Sequence, residues 1–256
     1  MNIKVSKHNR VTVITINRPA ARNAVDGPTA TELAEAFKSF DADPGADVAI
    51  LTGASQTFCA GADLKAVATG DGNRVSTKGD GPMGPTRMLL SKPVLAAVEG
   101  HAVAGGLELA AWCDLRIAAE NAVFGVYCRR WGVPLVDGGT VRLTRLLGTS
   151  RAMDLILTGR GVSGEEALQM GLVNRLSKPG QALNDALALA EQLCQFPQNC
   201  MRSDRLSAHR QWDQPLESAL MQETELGLAV IKSGETAAGA ARFAAGKGRH
   251  GDFKEI

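Results

Sequence analysis

Residues 93–118, PVLAAVEGHAVAGGLELAAWCDLRIA, contain the pattern that decides the fold class. Pro93–Val98 and Leu115–Ala118 are short, mostly apolar runs, and a Gly- and Ala-rich helical stretch begins near Gly105 between them. Short apolar runs are typical of strands buried on both faces, and such strands pair in parallel through helical crossovers. The segment therefore predicts an α/β protein.

The chain before this segment also alternates between strand and helix patterns. Ile3–Val5 and Val11–Ile16 are β-branched runs around the polar turn 7–10, which predicts a hairpin. Thr31–Phe40 has apolar residues at three- and four-residue spacing, as in a helix, and Val48–Thr52 predicts another buried strand.

The second half of the chain is predicted to be mainly helical. The predicted helices are Arg142–Leu147, Ser150–Leu157, Ser163–Gln169, Ala182–Gln195, Pro215–Lys232 and Glu235–Ala245. Thr69–Pro85 is dense in Gly, Pro and Asp, and a loop of that length inside a compact domain is usually a binding loop.

Composition excludes several classes of protein. The 256 residues contain 28 Lys+Arg and 27 Asp+Glu, a net charge of +1, so we expect no nucleic-acid partner. No run reaches the ~18 apolar residues of a spanning helix, and Met1–Arg10 lacks the apolar core of a signal peptide. The five cysteines include no CxxC pair. We therefore expect a cytoplasmic protein with no membrane partner and no metal site.

Two stretches carry candidate chemistry. Residues 57–65 (TFCAGADLK) and 100–109 (GHAVAGGLEL) each follow a predicted strand and run into a helix. Their backbone N–H groups could converge on one ligand oxygen as an oxyanion hole. Glu108 follows about one helical turn after Gly105, where it could move a proton near a carbonyl group. Either stretch alone also fits a tight turn that lets a strand and a helix pack closely.

The order of motifs along the chain resembles that of the crotonase superfamily, the enoyl-CoA hydratase/isomerase family. The matching segments are Asn17–Pro19, Arg22–Ala24, Phe58–Leu64, Gly100–Glu108, Cys113–Arg116, Phe124–Gly125, Gly138–Thr140, Arg142–Leu143 and Ala167–Val173. The resemblance implies a crotonase-like ββα-superhelix core over residues 1–200, which binds a CoA thioester and acts on it. It also implies a C-terminal helical region, residues 201–256, that packs subunits into trimers or dimers of trimers.

The resemblance also implies roles for individual residues. The N–H groups of Ala62 and Gly105 would donate to the thioester oxygen. Contacts with CoA would come from Arg22, Ala24, Ala60, Asp63, Leu64 and Lys65, and from Phe243 and Lys247 of a neighbouring subunit. CoA is part of the substrate, so no separate cofactor is implied.

One position departs from the pattern of the family's hydratases. Those enzymes use two glutamates, and the position of the second, four residues after Phe124, is Cys128 in this sequence. A thiol, with an ordinary pKa of about 8.5, is a poor substitute for a carboxylate that holds a water, so efficient hydration is in doubt. A second hypothesis makes Cys128 a nucleophile whose pKa is lowered by Arg129.

Asp137 offers a replacement carboxylate. Several family members have an acidic residue at or next to this position, so Glu108 and Asp137 would form an acid/base pair in a cavity shaped by Cys128 and Trp131. The alternative is that Asp137 only caps the helix that begins near Gly138.

Three functional hypotheses follow. The first is an acyl-CoA enzyme that stabilises a thioester enolate and catalyses a double-bond shift, a restricted hydration or a C–C cleavage. The second is an RNA-binding relative with the same fold. The third is a noncatalytic acyl-CoA binder that lost turnover with the second glutamate.

Overall fold

The structure is a computed structural model that describes residues 1–251 and contains nine strands and ten α-helices in that range. The strands are β1 (Ile3–His8), β2 (Val11–Ile16), β3 (Val48–Gly53), β4 (Val94–Val98), β5 (His101–Val103), β6 (Leu115–Ala119), β7 (Val123–Gly125), β8 (Gly161–Ser163) and β9 (Arg175–Ser177). The α-helices are α1 (Gly27–Ala42), α2 (Leu64–Ala68), α3 (Gly105–Trp112), α4 (Gly139–Leu147), α5 (Thr149–Thr158), α6 (Gly164–Met170), α7 (Ala182–Gln195), α8 (Gln198–Arg210), α9 (Leu216–Lys232) and α10 (Glu235–Ala244). Short 3-10 helices cover Pro19–Ala21, Pro85–Arg87, Tyr127–Trp131, Gln211–Asp213 and Arg249–Gly251.

The larger sheet has six strands in the order β1-β2-β3-β4-β6-β9. Strands β1 and β2 form the predicted hairpin, and β3, β4 and β6 pair in parallel, as predicted; β9 also pairs in parallel, with β6. The hairpin turn is shorter than predicted, because Lys7 and His8 pair with Thr12 and Val11. Asn9 adopts a φ of +52°, which permits a two-residue connection.

The central strands are buried on both faces, which explains their continuous apolar sequence. In β3, Ala49 and Leu51 belong to a core shared with α1 and α3, whereas Val48 and Ile50 face a second core completed by α7. The alternation follows from the two-residue period of a strand. Helices therefore cover both faces of the sheet.

A second sheet of three short strands lies next to α3, in the order β5-β7-β8. Strand β5 pairs in parallel with β7, and β7 pairs antiparallel with β8. These strands and β9 were not predicted from the sequence, since three residues are too few for a periodic pattern. Strand β5 leads directly into α3 and so positions the start of that helix.

Helix α8 was not predicted from the sequence, because its residues, QNCMRSDRLSAHR, are mostly polar and form no apolar stripe. Ion pairs hold it against the sheet: Arg202 lies 2.7 Å from Asp47, and Arg205 lies 2.8 Å from Asp114. The predicted boundary at residue 200 falls inside α8, and residues 252–256 of the predicted C-terminal region lie outside the described part of the chain. Among residues 1–251, none of the helices has the length and apolarity needed to cross a bilayer.

Candidate active site

A cavity of about 780 Å³ opens between α2, the start of α3 and the segment 127–137. Nine of the fourteen residues that the sequence singled out line it: Arg22, Ala60, Ala62, Leu64, Gly105, Glu108, Cys128, Trp131 and Asp137. These residues are far apart in sequence, so the fold brings the predicted chemistry into one place.

The two predicted oxyanion segments run side by side. The N–H of Cys59 donates to the carbonyl of His101 at 2.9 Å, and the N–H of Val103 donates to the carbonyl of Cys59 at 3.1 Å. This parallel pairing carries the chain onward to Ala62 on one side and to Gly105 on the other. Both N–H groups therefore belong to the same wall of the cavity.

Backbone turns at Gly61 and Ala104 bring these segments into contact. Gly61 has a φ of +97°, and a Cβ added to it would lie 3.0 Å from the Gly105 nitrogen. Ala104 has a φ of +54°, which is unusual for a residue with a side chain. Among the hydrogen bonds within residues 1–251, the N–H groups of Ala62 and Gly105 have no protein acceptor. They are available to an oxygen atom of a ligand.

Glu108 is a buried carboxyl group in the cavity wall. Its side chain is on α3, all of whose residues are buried, and Glu108 itself is 3% exposed. One oxygen, Oε1, accepts hydrogen bonds from the N–H groups of Asp137 at 2.9 Å and Gly139 at 2.8 Å. Burial, together with the nearby Asp137 charge, raises the pKa of Glu108 from its ordinary 4.5 to about 7. This carboxyl group can both give and take a proton near neutral pH.

Asp137 is also buried, and its carboxylate does not cap a helix. Its Oδ1 atom accepts hydrogen bonds from the N–H of Met83 at 2.9 Å and from the hydroxyl of Thr86. Helix α4 begins at Gly139 and its N-cap is Gly138, so the capping alternative is wrong. Burial raises the pKa of Asp137, although the two donors oppose the effect.

Cys128 lies in the 3-10 helix 127–131, buried in the cavity wall. Burial raises the pKa of its thiol, and the nearby Glu108 charge adds to that effect and exceeds the opposing influence of Arg129. The thiol is therefore protonated at neutral pH. This counts against the hypothesis that Cys128 is a nucleophile, because the thiolate is the reactive form.

Five predicted CoA contacts lie outside the cavity wall: Ala24, Asp63, Lys65, Phe243 and Lys247. Asp63 accepts a hydrogen bond from the N–H of Lys65 at the start of α2 and forms an ion pair with Arg18 at 3.1 Å. Phe243 is on α10 and is 61% exposed, as it would be if it reached a neighbouring subunit. The CoA contacts of all five residues stay predictions.

The structure adds residues that the sequence analysis missed. Tyr127 and Arg130 line the cavity, with the guanidinium of Arg130 lying 4.3 Å from the centre of the Tyr127 ring. Thr86 and Arg142, which do not line the cavity, each form a hydrogen bond with Asp137. The contact between Thr86 and Asp137 gives no sequence signal, because it depends on the path of a long loop. Arg142 is in a segment that matches the family's pattern, but that match predicts no contact with Asp137.

Comparison with known proteins identifies the family. The model of the enoyl-CoA hydratase/isomerase family matches residues 6–254. The chain is 37% identical over 247 residues to the enoyl-CoA hydratase EchA19 of Mycobacterium tuberculosis, covering 94% of this chain and 92% of that protein. It is 36% identical over 228 residues to the short-chain-enoyl-CoA hydratase of Clostridium acetobutylicum, covering 88% and 87% of the two chains.

Solved structures agree with this family. The crystal structure of the enoyl-CoA hydratase EchA1 from Mycobacterium marinum matches with a TM-score of 0.90 and 38% identity, covering 95% of this chain and 96% of that one. The chain belongs to the enoyl-CoA hydratase/isomerase family and is an enzyme of that type. The resemblance and the fold class read from the sequence are confirmed.

The approach of α3 to residues 59–62 generates a first prediction. A Cβ on Gly106 would lie 2.1 Å from the Cys59 carbonyl oxygen, so Gly106→Ala forces the two segments apart and displaces the N–H groups of Ala62 and Gly105. We expect kcat to fall on the order of a hundredfold. Gly227→Ala on α9, where nothing lies within 4 Å of the added Cβ, is the control and keeps wild-type turnover. Equal kcat in both variants would contradict the oxyanion geometry.

The raised pKa of Glu108 generates a second prediction. Glu108 ionises at its ordinary pKa of 4.5 in the unfolded chain and at a pKa of about 7 in the native protein. Its contribution to the unfolding free energy is therefore fully present below pH 4.5 and is lost as the pH rises through 7. The gap corresponds to about 3 kcal/mol. Glu108→Gln has no carboxyl group at this position to ionise, so it does not lose this stability. Its unfolding free energy exceeds that of the wild type by a margin that grows from pH 5 to pH 8.

Denaturant unfolding at several pH values measures this margin. Glu120→Gln, at an exposed position just after β6, is the matched control and follows the wild-type curve. A constant margin for Glu108→Gln across the pH range would show that Glu108 ionises in the native protein as it does in water.

Proposed function

We propose that this enzyme adds water reversibly to the α,β double bond of an enoyl-CoA thioester. The main support for this proposal is the shared cavity, which is lined by two buried carboxyl groups, Glu108 and Asp137, and by Ala62 and Gly105, which supply the N–H groups. Relatives named enoyl-CoA hydratases at 36–37% identity support the substrate class.

The two N–H groups would stabilise the enolate form of the thioester. When a nucleophile adds to the β carbon, negative charge moves onto the thioester oxygen. Donors fixed by the backbone pairing at Cys59 need no rearrangement as that charge develops. Each such donor contributes about 2.7–4 kcal/mol to transition-state stabilisation in enzymes.

The environments of the two carboxyl groups favour different roles. Both carboxyl groups accept two hydrogen bonds on one oxygen, but their charged neighbours differ. The cations Arg87 and Arg142 add to the two donors in favouring the charged form of Asp137 against burial. The Asp137 charge, in contrast, adds to burial in raising the pKa of Glu108 to about 7. In the proposed step, Asp137 takes a proton from water as the water oxygen bonds to the β carbon. Glu108 gives its proton to the α carbon. Proton exchange with solvent then restores both groups, and the reverse sequence eliminates water.

Cys128 favours a second candidate, a shift of the double bond between the α,β and β,γ positions. The thiol places an uncharged, buried group beside Glu108 where hydratases of the family have a glutamate. The shift needs no bound water: one carboxylate takes the γ proton, the enolate charge rests on the same N–H groups, and a carboxyl group returns a proton to the α carbon.

The sequence-based expectations of trimers or dimers of trimers and of a cytoplasmic location belong to this proposal. Large apolar side chains are exposed on α9 and α10, at Leu220, Met221, Ile231 and Phe243, which supports packing against other subunits. The cytoplasmic location is supported by the cysteine pattern of the sequence.

Mass spectrometry in D2O distinguishes the two reactions. A panel of α,β- and β,γ-unsaturated acyl-CoA thioesters is incubated with the protein, with Glu108→Gln and with Asp137→Asn. We expect the wild type to add one water and one carbon-bound deuterium, and both variants to lose on the order of a hundredfold or more in rate. Deuterium without added water would select the double-bond shift. No change in any thioester would contradict both candidates and favour a noncatalytic binder.

Substitution of Cys128 tests whether its thiol takes part. Because the proposed pair is Glu108 and Asp137, Cys128→Ser keeps the kcat of hydration within the same order of magnitude. A loss comparable to that of Asp137→Asn would assign the thiol a chemical role. A large gain of hydration in Cys128→Glu would show instead that a carboxylate at this position limits the wild type.

A further inference from the structure

The Asp137 carboxylate accepts a hydrogen bond from a residue that does not line the cavity. Thr86, which is 1% exposed, is in the 3-10 helix Pro85–Arg87, and its hydroxyl donates a hydrogen bond to Asp137 Oδ1. The N–H of Met83 donates to the same oxygen at 2.9 Å. A Cβ on Gly81 would lie 2.0 Å from the Thr86 hydroxyl oxygen, so only glycine permits this approach.

Arg142 links the same two residues a second time. Its Nη1 donates to the Asp137 carbonyl at 2.7 Å, and its Nη2 donates to the Thr86 carbonyl at 2.6 Å. The Asp137 N–H donates to Glu108 Oε1 at 2.9 Å. The backbone of Asp137 is thus fixed on both sides, and among the described residues its Oδ2 atom has no hydrogen-bond partner.

The loop that carries Thr86 is itself fixed against the core. Gly81 and Gly84 exchange two backbone hydrogen bonds of 3.0 and 2.8 Å. A Cβ on Gly84 would lie 2.6 Å from the Ala30 carbonyl of α1, and the Trp112 indole donates to the Met88 carbonyl at 2.9 Å. Because α1 and α3 belong to the core, the position of the Thr86 hydroxyl is set before any ligand binds.

We propose that Thr86 is a positioning residue that fixes the orientation and the charge of the Asp137 carboxylate, leaving Oδ2 to exchange protons in the cavity. This inference rests on the proposed function, in which Asp137 is the base. A hydroxyl that donates to a carboxylate favours the charged form, and here it opposes the burial that raises the Asp137 pKa. Without it, Asp137 would hold its proton to higher pH, and only the Met83 N–H would hold its carboxyl plane in place.

Thr86→Val tests the inference, because valine keeps the shape of threonine and removes the hydroxyl. We expect kcat to fall on the order of tenfold to a hundredfold, with little change in KM because Thr86 is not part of the cavity wall. The ascending limb of the pH profile of kcat, which reports the ionisation of Asp137, moves up by about one unit. Thr86→Ser restores both the rate and the profile.

Thr52→Val is the matched control. Thr52 is also buried, and its hydroxyl donates to the Ala97 carbonyl at 3.0 Å, within the sheet and away from Asp137. Its substitution removes one buried hydroxyl and leaves the pH profile unmoved. If Thr86→Val lowers kcat no more than Thr52→Val does, with an unchanged profile, the inference is overturned. Thr86→Ala, with the same expectations, replaces Thr86→Val if the valine variant does not fold.

Asp137→Asn separates this inference from the proposed function. Wild-type kcat in Asp137→Asn would overturn the assignment of Asp137 as the base, and the positioning role with it. An inactive Asp137→Asn together with a Thr86→Val variant of unchanged rate and pH profile would overturn the positioning role alone. Loss of activity in Asp137→Asn with a shifted profile in Thr86→Val supports both.

Discussion

The rest of the site depends on the backbone pairing between residues 59–62 and 101–105. Two hydrogen bonds at Cys59 align these segments, and the absence of a side chain at Gly106 lets α3 lie against the Cys59 carbonyl. The same contact orients two N–H groups toward the cavity and sets the start of the helix that carries Glu108. A change in this contact therefore alters both the proposed electrostatic stabilisation and the position of the proposed acid.

The two carboxyl groups show how the fold accommodates charge that it buries. Burial disfavours ionisation of both groups, and each is compensated by donors that point at a single oxygen. The compensation is incomplete, which leaves the pKa of Glu108 at about 7. A carboxyl group with that pKa costs stability at neutral pH and is suited to proton transfer there, so the two properties have one cause.

The parts of the fold predicted from the sequence are the segments whose own residues show a recognisable strand or helix pattern. Strands β3, β4 and β6 are mostly apolar runs, and α3 follows a glycine-rich turn with Glu108 at a fixed spacing. Helix α8 was missed because ion pairs hold it instead of an apolar stripe. Thr86 was missed for a related reason: its partner is 51 residues away, and their contact depends on the path of a loop that has no periodic pattern.

The ion pairs of α8 also affect where the chain could be truncated. Asp114 lies where β6 begins and is mostly buried, and its side chain forms an ion pair with Arg205 at 2.8 Å and a hydrogen bond with His209 at 2.9 Å, both on α8. A chain ending at residue 200 would lack both partners and leave the Asp114 carboxylate with only the Val94 N–H as a donor. Removing one partner of such a pair is far more damaging than never having had the pair. The contacts of Asp114 at the start of β6 are therefore completed by a helix beyond the sheet, and the first 200 residues lose two of them without the next ten.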